Sequence, residues 1–160
     1  MSLRTGSQIG MATEPIINPH NLKILGWWCN VGRSSNLVLL AEDVRELMPQ
    51  GLAVNDEEVL SAASELVRHK ETLDIRFKLL NKLVKNKRQK LGRVNDFSFN
   101  EGMLIQKLYV VKPVTKLFSS NDTLLIDRTQ ILEVTDTYIL VEDADVKADA
   151  EEPVGDAVPA

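Results

Sequence analysis

The chain has 160 residues, of which 44% are hydrophobic and 26% charged, with a formal net charge of −4; that is one average domain or two small ones of ordinary soluble composition. No stretch approaches the roughly 18 consecutive apolar residues of a membrane span, and residues 1–10 lack the apolar core of a signal peptide, so the default compartment is the cytoplasm. A single cysteine, Cys29, excludes an internal disulfide or a CxxC metal knuckle, and no cofactor or metal is implied.

Residues 1–60 open with the turn residues Thr5-Gly6 and then Ile9-Gly10. A first strand ends in the turn Asn18-Pro19-His20-Asn21, which is followed by the apolar strand Leu25-Gly26-Trp27-Trp28-Cys29 and by LVLLAEDVRELMPQGLAVND (Leu37 to Asp56). Residues 61–74 hold helix formers without Gly or Pro. They predict a linker with a short helix near Glu65 to Thr72, capped at Ser64, with a loose connector as the competing reading. The next element is the apolar run Phe77 to Val84, followed by a turn rich in cations and then Leu91-Gly92. A second strand-turn-strand follows, with its turn at Asn100-Glu101-Gly102 and a strand at Lys107 to Val111. A long loop, KPVTKLFSSNDT, precedes LLIDRTQILEVTDTYILVED (Leu124 to Asp143). Residues 75–145 thus form a second domain, and 146–160, acidic and poor in large apolar side chains, are expected to be disordered.

The two halves carry one pattern. With Ile9-Gly10 laid on Leu91-Gly92, Ile17-Asn18 falls on Phe99-Asn100, and Leu25, Trp27 and Cys29 fall on Gln106, Leu108 and Val110. Each half reads as about five short strands in some 70 residues, too few for a large sandwich and enough for a small antiparallel barrel, which would remove exposed edges. The halves differ at the start. The second has an opening strand at Phe77 to Val84, whereas the first has only Met1-Ser2-Leu3 there. Either the chain begins late or the first barrel keeps an open edge; a late start is favoured, because an unpaired edge invites aggregation.

The TG-x-x-IG start of the first half, the KLG-x-V start of the second, the strand-turn-strand after each and the closing ILVED resemble tandem PRC-barrel domains, over most of the chain from Leu3 to about Asp143. The resemblance implies a mainly β protein, two small antiparallel barrels joined by a short helical linker, used for binding and assembly and without family-wide catalytic residues. The fold also occurs in the H subunit of the photosynthetic reaction centre and in a ribosome maturation factor. This chain lacks the transmembrane helix of the former and the partner domain that accompanies the barrel in the latter.

Candidate sites are few. His20 and His69 lie far apart in sequence and read as surface residues. Cys29, beside two tryptophans, reads as a buried, inert thiol. No nucleophile elbow, HExxH or phosphate-cradling loop is present, and Glu42-Asp43 and Glu57-Glu58 are adjacent pairs whose side chains diverge on a strand, so an enzyme is not expected. Strand alternation puts Trp27 with Leu25 and Cys29 on the barrel side and Trp28 outward, matching Tyr109 in the second half. Trp28 and Tyr109 are therefore candidate docking residues, either between the barrels or for a protein partner, or else mere caps on a barrel end. Lys85, Lys87, Arg88 and Lys90 sit at a predicted hairpin tip within eight cations uninterrupted by an acid. They are candidates for contact with ribosomal or other RNA, or else an ordinary solvated turn. The leading expectation is a cytoplasmic adaptor that binds another protein, and the alternative is a ribosome- or RNA-associated factor.

Overall fold

The computed structural model describes residues 1–112 and 123–142. The tail expected at 146–160, and most of the long loop of the second half, lie outside the described residues. The protein is mainly β with one short α-helix, and it divides into two compact units, Met1–Asn18 with Lys23–Phe77, and Pro19–Leu22 with the residues from Lys78 onward. Among the described residues, no helix is long and apolar enough to cross a membrane.

In the first unit, β1 (Met11–Asn18), β2 (Lys23–Val31), β3 (Ser34–Leu40) and β6 (Leu60–Ala62) form one antiparallel sheet in the order β1-β2-β3-β6. The hairpin of β4 (Val44–Met48) and β5 (Gly51–Val54) stands as a separate ribbon. β2 shows why these residues make a strand: Ile24, Gly26 and Trp28 alternate with half-buried Leu25 and Trp27, so both faces find cover. One face packs Cys29, Leu39 and Val54 with Trp27, Val44 and Leu60; the other packs Ile16, Trp28 and Val38.

The segment read as a linker belongs to this unit. Ser61 and Ala62 lie in β6, paired with Val38 and Leu37 of β3. The expected single helix is broken into two 3-10 turns, Ala63–Glu65 and Val67–His69, followed by α1 (Lys70–Ile75). Ser64 lies inside the first turn rather than capping a helix, and the Glu65 carboxylate instead accepts from Ala62 N at 2.9 Å. Arg76, in the left-handed region at φ 52°, ends α1. Its one buried residue, Leu73, seals the face that carries Trp28. Burial of a leucine side chain contributes about 1.5–3 kcal/mol, enough to hold six residues of otherwise marginal helix in place.

The second unit is a six-stranded, curled half-barrel sheet in the order β10-β9-β8-β7-β12-β11. Its strands are β7 (Leu83–Lys85), β8 (Lys90–Phe99), β9 (Ile105–Val111), β10 (Thr123–Asp127), β11 (Ile131–Val134) and β12 (Tyr138–Val141). The expectation of a purely antiparallel sheet is corrected here. Curling brings the first strand beside the last, and β7 and β12 run in the same direction, with Tyr138 opposite Leu83 and Leu140 opposite Lys85. The expected opening strand is also shorter than Phe77 to Val84, since only its end, from Leu83, pairs as strand. Val84, Val94, Leu108, Val110, Ile126, Ile139 and Val141 are buried.

The two units repeat each other down to their irregularities. β1 pairs with β2 through shifts at Ala12/Glu14 and Ile16/Ile17, and β8 pairs with β9 through shifts at Val94/Asp96 and Ser98/Phe99. The β4-β5 hairpin shifts at Val44/Glu46, and the β11-β12 hairpin at Ile131/Glu133. A 3-10 turn precedes each of these hairpins, Ala41–Asp43 in one unit and Arg128–Gln130 in the other. An extra residue at the same place in both copies bends both sheets alike. Gly10 and Gly92 hold the same position: a Cβ at either would collide with a backbone oxygen of the neighbouring strand, that of Asn30 in one unit and of Val111 in the other.

Candidate functional site

Trp27 and Trp28 occupy opposite faces of β2, as alternation predicts, but the outward position is not exposed. Trp28 is 7% accessible, packed with Ile16, Val38 and Leu73. The Arg76 guanidinium lies 4.0 Å from its ring centroid. The reading of Trp28 as a free docking residue is therefore corrected. The segment that follows β6 folds back over this face and covers the ring, which strand alternation alone could not reveal. Trp27, placed on the inner side, is half-buried beside Cys29 and Leu39. Tyr109, the counterpart of Trp28, lies on β9 opposite Asp96 and Leu125 and is half-buried.

The basic run forms the predicted hairpin tip. Asn86 N donates to Gln89 O at 3.0 Å, and the Asn86 side-chain oxygen accepts from Arg88 N and Gln89 N at 2.8 Å each. This Asx-type closure makes Asn86 the buried hinge of an otherwise solvated turn. Lys87, Arg88 and Lys90 are exposed, whereas Lys85 lies with its ammonium 4.0 Å from the Tyr138 ring centroid. Lys90 also lines a cavity of 510 Å³ with Arg93 and Lys112, two cations that the hairpin reading did not single out. The pairing of Arg93 with Val111 brings them together. Arg93 is partly committed, donating to Asn81 O at 2.9 Å.

Lys82, inside the same basic run, is not a surface charge. It is 9% accessible, and its ammonium donates to the carbonyl oxygens of Thr135 and Asp136. Burial pulls its pKa below the usual lysine range, while Asp136 opposes that shift. It ties the β11-β12 turn to the segment before β7.

Cys29 is buried, and desolvation pushes its thiol pKa up, the opposite of what a nucleophile needs. His20 is exposed and His69 half-buried. Among the described residues, no three His, Cys, Asp or Glu side chains converge as metal ligands would.

The remaining feature lies in the first unit. β1 is an edge strand, and Met11, Ala12, Thr13 and Glu14 are all exposed on it. Beside it, between β1 and the β4-β5 hairpin, opens a largely apolar cavity of 430 Å³, whose lining includes Ile9, Gly10, Cys29, Leu39, Leu52 and Val54. An exposed edge next to apolar side chains can accept a strand. No family model matches the chain, and a search of curated proteins finds no match.

Proposed function

We propose that this protein is a non-catalytic cytoplasmic adaptor built from two PRC-type barrels, which binds another protein. The reading is supported by the duplicated strand order with its recurring bulges. The single observation that carries it is the β1 edge with its apolar cavity, since a strand edge without a second strand partner among the described residues, beside apolar side chains, is chemistry for gripping another chain. Tyr109 remains a candidate contact, half-buried rather than covered. The test is capture of partners from lysate with and without nuclease. Partners that survive nuclease support the adaptor, and their complete loss contradicts it.

A second reading, a ribosome- or RNA-associated factor, is favoured by the exposure of Lys87, Arg88 and Lys90 on one closed turn with Arg93 and Lys112 nearby. Its contacts would be to phosphate, because the turn presents no aromatic for base stacking. Recovery of ribosomal material that nuclease abolishes would favour this reading.

A further inference from the structure

The two units share one scaffold and differ in the side chains it carries. Matching bulges put Gly10 at the place of Gly92, so Gln8, Met11 and Val31 of the first unit stand where the second has Lys90, Arg93 and Lys112. The first unit builds the same bulged strand pair with none of these charges, so the three cations are not a requirement of the fold. All three line the 510 Å³ cavity of the second unit, and no carboxylate among the described residues lines it with them.

The sheet itself gathers these charges. Leu83, Arg93 and Val111 pair in one row across β7, β8 and β9, and the side chains of such a row share a face. Lys112 directly follows Val111 at the end of β9, and Lys90 opens β8. Asn95, the extra residue of the bulge at Val94/Asp96, brings a side-chain amide to the same cavity. The bond from Arg93 to Asn81 O fixes the guanidinium and commits one of its five donors. Among the described residues, no carboxylate forms a salt bridge with Lys90, Arg93 or Lys112. Like charges gathered without a counter-ion repel one another, and a bound anion removes that cost.

We infer that this cavity is an anion site for one phosphate group, supplied by a nucleic-acid backbone. Three cations and an amide reaching it from β8 and the end of β9 suit the several oxygens of a phosphate, whereas a planar carboxylate is met by one arginine fork. The volume of 510 Å³ falls within the roughly 300–1,000 Å³ of sites for drug-sized ligands, which leaves room for a nucleotide unit rather than a bare ion. Lys87 and Arg88, exposed on the turn of the same hairpin, extend the positive face beyond the cavity, as a chain of phosphates requires. Contacts of this kind position a strand without reading its bases. The inference goes beyond the adaptor reading, and it rests on the RNA reading for the source of the phosphate.

The probes are inorganic phosphate and single-stranded oligouridine RNA, each added to the full chain. Millimolar phosphate, compared with chloride at the same ionic strength, should shift the amide resonances of Arg93, Val111 and Lys112. Those of Met11 and Asn30, the counterparts of Arg93 and Val111 in the first unit, should stay in place. The triple variant Lys90→Gln, Arg93→Met, Lys112→Val gives the second unit the residues of the first. It should keep a dispersed amide spectrum and bind oligouridine about tenfold more weakly, with a log–log salt slope flatter by about 0.7, the loss of one phosphate contact to a single strand. Lys112→Gln alone should weaken binding in the same direction, and it decides the matter if Arg93→Met perturbs the fold through loss of the bond to Asn81 O. Absence of phosphate shifts at Arg93 and Lys112 would overturn the site, as would RNA binding that the triple variant and Lys112→Gln leave unchanged. If RNA is then lost on Lys87→Gln with Arg88→Gln, the RNA reading stands without the cavity. Phosphate shifts at Arg93 and Lys112 in a chain that binds no RNA would keep the anion site, assign it to a free phosphate compound and sink the RNA reading.

Discussion

Arg76 ends α1 in a left-handed conformation and sets its guanidinium 4.0 Å from the centroid of the Trp28 ring, so a residue beyond the last strand of the first unit closes the face of its second strand. Trp28→Ala should destabilise the first unit by about 3–5 kcal/mol, as large-to-small changes at buried aromatics do. Arg76→Gln should cost about 0.5–1 kcal/mol, and the double variant should show coupling of that order, since the cation has no ring to meet once Trp28 is gone. Both tryptophans lie in this unit, so denaturant unfolding followed by their fluorescence measures the effect directly.

The matched glycines give a paired test of the duplication. Gly10→Ala and Gly92→Ala each force a methyl group against a strand carbonyl, and Gly92 adds a φ of +149° that an L side chain rarely adopts. Each change should cost about 1–3 kcal/mol, with Gly92→Ala the more damaging. Thermal unfolding of the two variants checks this, and a neutral effect at either position would contradict the equivalence.

Lys82 should make stability depend on pH in the alkaline range. Its folded-state pKa is depressed by burial, so between that value and the ordinary lysine pKa the unfolded chain binds more protons, and its contribution to stability rises with pH through this window. Cys29 has the opposite sign. Its raised pKa gives a contribution fully present below the ordinary thiol pKa and lost as pH rises toward the folded value. Lys82→Met should remove the rising component, and Cys29→Val the falling one, in denaturation midpoints measured from pH 7 to 10.5. Lys82→Met should also cost about 1–3 kcal/mol near neutrality through loss of the bonds to the Thr135 and Asp136 carbonyls.

Replacement of Lys85, Lys87, Arg88 and Lys90 together by Gln separates the two functional readings. The exposed members should each change stability by no more than about 0.5 kcal/mol, with a further loss of about 0.5–1 kcal/mol from the Lys85 contact with Tyr138. If RNA is the partner, affinity should fall across sequences and the salt dependence should flatten; an adaptor should keep its protein partner. Binding measured against salt concentration decides between them.

Much of this architecture was legible in the residues. The repeat, the hairpin tip and the opposed faces of Trp27 and Trp28 all follow from alternation and turn chemistry, which are local. What was not legible depends on which distant segments meet. Trp28 is outward on its strand yet covered, because Leu73, some forty-five residues later, returns to pack on it. The parallel β7-β12 pairing is equally non-local, set by how the sheet curls rather than by either strand's own residues. Lys82 reads as one cation among eight, and only burial distinguishes it. The apolar cavity beside β1 was not visible, because its walls, among them Cys29, Leu39 and Val54, come from three different strands.

Native-state amide exchange, compared between equivalent segments of the two units, tests most directly the claim that the first unit repeats the second but leaves one strand edge open. Amides of Arg93 and Val94 in β8, which meets β9 on one side and β7 with Lys82 before it on the other, should both be protected. Those of Met11 and Ala12, the equivalent residues of β1, should differ, with the amide directed at β2 protected and the one directed away from it exchanging near the unprotected rate. Uniform, equal protection of the two segments would show that the β1 edge is already paired, and would contradict the account.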